Sequence, residues 1–190
     1  MRAIGLFAGI LALTVSGAAS AQDWIVYVSR DSRFAAAMPR QPAEETRDFK
    51  TEYSYTIPEH VFTATQGTDR TYRVIVRDYT GVEQLTDVRG SMAFAATAYR
   101  QLGRVIFDGY QEIDRIPGHQ LTIITPDGRQ IYVGLNLYDK RLYIVEANLP
   151  VSAPPPEPFR ASLQVLDAEG NSIRLNDEGE PAQRRPLDAR

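Results

Sequence analysis

The residues of this 190-residue chain that could do chemistry are few: two histidines, one run of carboxylates and an acidic stretch near the C-terminus. His60 follows Pro58, and His119 follows Pro117-Gly118, each beside an expected turn. A zinc-type site needs three or four ligands at coherent spacing. The chain has no cysteine, which removes thiolate ligands and thiol chemistry together. Asp108, Glu112 and Asp114 share parity, so a strand sets all three on one face, with Arg104 and Arg115 flanking them. Paired carboxylates support acid–base work, which makes this acidic strand the working group of any hydrolase or small-molecule site. A charged strand face is ordinarily just solvated. Asp167, Glu169, Asn171 and Glu178 fall at positions 1, 3, 5 and 12 of a calcium loop. Ser172, however, stands where the sharp turn needs glycine, and Arg174 where an aliphatic residue is needed. Ser91 follows Gly90 without a Gly-x-Ser-x-Gly elbow, and the glycines are too dispersed for a phosphate loop. The expectation is therefore no enzyme, no metal and no cofactor.

Recognition has better material. Arg73, Arg77 and Tyr79 alternate along one expected strand, and Tyr132, Asn136 and Tyr138 along another, each set opposite a more aliphatic one. Tyr and Arg are enriched in recognition surfaces because they combine contact area with directed hydrogen bonds. These six are the expected binding residues, gathered on a Tyr/Arg face of the sheet. The competing reading covers that face with a helix and leaves the tyrosines to packing.

The elements that must position these residues are read from periodicity. Trp24 to Val28 and Phe34 to Met38, stopped by Pro39 and Pro42, are two short strands with Trp24 and Phe34 as core plugs. Tyr53, Tyr55 and Ile57 suggest an edge strand ended by Pro58, and Val61–Thr65 and Thr71–Tyr79 form a hairpin. From Val82 to Leu102 apolar residues recur at three- and four-residue steps, an amphipathic helix opened by a Thr80-Gly81-Val82-Glu83 capping box and stopped at Gly103. Gly90 lies inside it and would let a neighbour pack closely. A four-strand meander follows over Val105–Ile113, His119–Thr125, Gln130–Tyr138 and Arg141–Leu149, with turns at Pro117-Gly118, Pro126-Asp127-Gly128 and Asp139-Lys140. A prolyl linker leads to a last helix, Glu157 to Leu166, and a short strand at Ser172–Leu175. The expected class is α+β, a central antiparallel sheet flanked by helices.

The first 21 residues read as a signal peptide. Arg2 precedes an apolar run from Ile4 to Val15, and Ala19-Ser20-Ala21 presents small residues for cleavage before Gln22. The run is far short of the about 20 apolar residues of a spanning helix. Residues 22–175 then form one domain, and 176–190, rich in charge and Pro, form a disordered tail. The formal charge of −3 with scattered Lys and Arg gives no nucleic-acid stripe. The expected location is the periplasm or the medium, with no membrane span after cleavage.

The Trp24-led strand, Phe34–Met38 with its two prolines, the run Leu142-Tyr143-Ile144-Val145 and the closing Phe159 with Ser162-Leu163 resemble small exported bacterial domains of unassigned function. Those are similar in fold to the PsbP-like α/β/α sandwich of extrinsic photosystem II proteins and of a Ran-binding nuclear factor of eukaryotes. The resemblance spans Asp23 to Leu175. It implies a non-enzymatic binding or assembly module for a protein or envelope component, and carries over no functional residue.

Overall fold

The computed structural model describes residues 24–185. The expected signal peptide and its cleavage point lie outside the described residues. In chain order the elements are β1 (Ile25–Ser29), β2 (Phe34–Met38), β3 (Ala43–Lys50), β4 (Thr56–Gln66), β5 (Arg70–Asp78) and α1 (Gly90–Arg100). Then come β6 (Arg104–Ile113), β7 (Ile116–Ile124), β8 (Arg129–Tyr138), β9 (Arg141–Pro150), α2 (Glu157–Arg160), β10 (Gln164–Val165), β11 (Ser172–Leu175) and β12 (Pro181–Arg185). No described helix is long and apolar enough to cross a membrane.

The main sheet has seven strands in the order β3-β4-β5-β9-β8-β7-β6, antiparallel at every pairing. Short turns dictate much of this. Asp114-Arg115 and Asp139-Lys140 take positive φ at both residues, the two-residue hairpin geometry that matches the twist of the flanking strands. The first of these replaces the turn expected at Pro117-Gly118. Gly118 instead sits within β7, where a Cβ would lie 2.3 Å from the Leu135 carbonyl oxygen.

Both faces of the sheet are covered, but by different layers. One face carries Phe62, Tyr72, Val74, Tyr143 and Val145, and packs on a three-stranded sheet, β1-β2-β10, together with Phe159 of α2. Phe34 meets Phe62 edge-on at 4.9 Å between centroids, and Trp24 meets Tyr72 at 5.0 Å, so both expected plugs fill this core. The other face, with Ile75, Leu121, Val133, Leu135 and Ile144, is covered by α1 and the 79–89 segment.

The α+β class with flanking helices, and with it the PsbP-like α/β/α arrangement, is overturned. Strands take 54% of the described residues and helix 9%, and the layer opposite α1 is a second sheet. Two misread segments explain the error. Val82, Leu85 and Val88 are spaced like a helical stripe, yet Val82 and Val88 are buried from an irregular loop. Thr80 turns back to Asp78 there (N to Oδ1 2.9 Å) in place of the capping box, and α1 starts only at Gly90. The expected helix 157–166 ends at Arg160, after which Gln164–Val165 adds to β2 as a strand. The edge strand expected over Tyr53–Ile57 is instead β3, and 51–55 is a turn. Beyond residue 176, where a tail was expected, β12 pairs antiparallel with β11.

Candidate functional site

Helix α1 packs on β7 and β8. Ala95 and Ala96 let it approach closely, and it stops short of the outer strands β3 and β4 on the same face. Register fills the β3–β4–β5 wing with three cross-strand rows: Arg47–Glu59–Arg77, then Glu45–Val61–Ile75, then Thr63–Arg73–Glu146. Facing residues in adjacent strands lie about 5 Å apart at Cβ, close enough for each charge to meet its opposite. Between this wing and α1 lies a cleft of about 360 Å³, floored by Val61 and Ile75 and walled by Ala98, Tyr99 and Leu102.

The charges of the cleft are layered by depth. Glu59 is only 1% exposed and accepts from Arg47 Nε at 2.5 Å and from Arg77 Nε at 2.7 Å. The Arg77 guanidinium also lies 3.6 Å over the Phe49 ring, a geometry in which the ring face attracts the cation. Glu146 accepts from Arg73 Nη1 at 2.9 Å and from the Tyr99 hydroxyl at 2.6 Å. Burial, reinforced by the Glu146 charge, holds the Tyr99 hydroxyl well above the usual phenol range, so it stays a donor. The Glu59 carboxylate likewise raises the Arg47 pKa. Both glutamates are thus buried anions satisfied by cations nearer the surface.

Of the six residues expected to bind, Arg73 and Arg77 enter this cleft and the other four do not. Tyr79 is fully buried on the same face, in the core with Val82 and Val88. Tyr132 and Tyr138 pack toward the opposite core, and Asn136 is buried, donating to the Ile116 carbonyl at 3.1 Å and accepting from Gln111 at 2.9 Å. The single Tyr/Arg face is therefore corrected to two faces. The cause is register: Arg73 stands opposite Glu146, and Glu146 opposite Val133, so Tyr132 points the other way. Arg47, Glu59, Tyr99 and Glu146 were not singled out in the sequence. Only Glu146 left a trace, as the one charge between Leu142 and Leu149 in a largely apolar strand.

The other candidates disperse. Asp108 accepts from Arg100 Nε at 2.7 Å and lies 2.5 Å from His119 Nε2. Arg100 first, then His119, holds its carboxyl below the usual range, which makes it a poor proton donor at neutral pH. Asp114 has left the strand for the β6–β7 turn, so the three carboxylates do not converge. His60 contacts Thr46 across β3–β4. Asp167 accepts from the Asn171 backbone at 2.8 Å, closing the turn into β11. No group of three or more metal-ligating side chains converges among the described residues. A broader open cleft of about 860 Å³ at one end of the sheet includes Tyr138 and Lys140, but its Arg89 and Arg115 are paired with Asp87 and Asp177. Compared with known proteins, the chain matches no protein-family model and no curated relative.

Proposed function

We propose that this chain is an exported, non-enzymatic binding module whose ligand site is the cleft between α1 and the β3–β4–β5 wing. The observation that carries this reading is the pair of buried glutamates, each fixed by arginine or tyrosine donors around an apolar floor. Such saturated pairs orient donors without leaving a group poised to move protons. A concave site whose polar groups converge over an apolar floor is one form a small-ligand pocket takes, although most of this cleft's lining is polar. Ala98 is exposed at the mouth, so Ala98→Trp fills the cleft without disturbing the core. Native mass spectrometry of the chain purified from its own cells should show a bound small molecule that Ala98→Trp abolishes at unchanged melting temperature. Equal ligand loading in the variant would refute the site.

A second reading, a protein partner, is favoured by the β6 edge. Edge strands are usually guarded by charge, as β3 is, whereas β6 leaves Ile106, Phe107 and Tyr110 between 46% and 66% exposed. Tyr110→Lys should abolish in-cell cross-linking to a partner; retention of the same cross-link would sink this reading.

A further inference from the structure

Resting on the cleft as the ligand site, we infer that its ligand is a monoanion with an apolar body, an aliphatic or aromatic carboxylate. The depth ordering of the charges points there. The Arg47 and Arg73 side chains are 53% and 41% exposed, while the Glu59 and Glu146 side chains beneath them are 2% and 9%. A ligand at the mouth therefore meets the Arg47 and Arg73 guanidinium edges, with the exposed Glu45 carboxylate as the one anion at the same depth. Among the described residues Arg73 commits only Nη1, to Glu146, and Glu146 is itself held by Tyr99. The remaining donors of that fork stay oriented, and a guanidinium fork matches a carboxylate in two parallel hydrogen bonds.

The apolar row decides the rest of the molecule. Val61 and Ile75 lie between the two arginine-bearing rows, with Leu102 above them. Arg73 and Arg77 are four residues apart on one strand, about 13 Å, so a headgroup at Arg73 leaves its body along this floor. Formal charge limits the headgroup. Arg47, Arg73 and Arg77 are matched one for one by Glu45, Glu59 and Glu146, so the cleft offers directed donors without a net positive field. A dianion such as a phosphate monoester gains no net field to offset its second charge and lies near the exposed Glu45. A single carboxylate is satisfied by one fork.

The test is isothermal titration calorimetry of the mature chain with decanoate and 4-phenylbutyrate, and with decylamine and decyl phosphate as contrasts. A carboxylate should bind at one saturable site, with decylamine and decyl phosphate at least about tenfold weaker, a gap of about 1.4 kcal/mol. Arg73→Lys, which keeps the charge and loses the fork, should weaken the carboxylate by about tenfold or more. Should that variant melt early, its affinity is read at a temperature at which circular dichroism shows it fully folded, with the same loss expected. If decylamine or decyl phosphate binds as well as the carboxylates and Ala98→Trp blocks it, the anion class is wrong while the cleft survives; if neither carboxylate binds, the carboxylate assignment is wrong. If carboxylate binding is unchanged in Ala98→Trp, the cleft itself is not the site.

Discussion

Removing Arg77 should cost far more stability than removing Arg47, although both bond the same glutamate. The Glu59 side chain is 2% exposed, Arg77 14% and Arg47 53%. Arg77→Ala strips the buried carboxylate of its inner partner and Phe49 of its covering guanidinium. Breaking a buried pair costs about 3–5 kcal/mol. Arg47 still bonds Glu59 at 2.5 Å, so the lower end applies, about 3 kcal/mol. For a domain of this size that is a fall in Tm of about 6–12 °C. Arg47→Ala leaves Glu59 bonded to Arg77 and removes a solvent-facing partner, worth about 1 kcal/mol or less and under about 4 °C. Adding Glu59→Gln to Arg77→Ala removes the stranded charge and should recover part of the loss. Circular-dichroism melts of the four proteins at one salt concentration decide it. Equal losses in the two single variants, or no recovery in the double, would refute the argument from burial.

Other outcomes follow from single groups. Among the described residues the buried Tyr79 hydroxyl has no partner in good hydrogen-bond geometry, since neighbouring Ser91 directs its proton to the Val88 carbonyl at 2.7 Å. Tyr79→Phe should therefore be neutral or stabilising by up to about 1 kcal/mol, read as an unchanged or higher Tm. Burial also pushes the Tyr79 pKa up to about 12. Because the folded value exceeds the unfolded value of about 10, its contribution is complete below pH 10 and is lost as pH rises toward 12. Alkaline unfolding should begin near pH 10 in the native chain and be blunted in Tyr79→Phe. Gly118→Ala places a Cβ 2.3 Å from the Leu135 oxygen and 2.4 Å from Asn136 Nδ2, and should cost about 3 kcal/mol by overpacking, measured by urea unfolding.

Much of the strand content was readable because the rules involved are local. The β7–β8–β9 meander follows from period-two alternation and from turn residues such as Asp139-Lys140, both of which act within a few positions. Gly90 was readable as a close approach, and the Tyr53 hydroxyl does lie 2.6 Å from where its Cβ would stand. The helical content was overread for an equally local reason. Val82, Leu85 and Val88 have the spacing of a stripe, but burial by a loop leaves the same trace as burial by a helix.

What lay in the chain from the start was which residues are apolar, which segments alternate and which charges exist. What needed the folded molecule was which charges meet. Arg73 finds Glu146 across 73 residues of sequence and Tyr99 reaches the same carboxylate from a helix across 47. Parity along one strand says that residues share a face; it does not say which face the next strand shares with it. That depends on register, and one residue of slip exchanges Val133 for Tyr132 beside Glu146. The cleft exists because α1 settles on β7 and β8 and stops short of β3, a matter of packing between elements that no local spacing records.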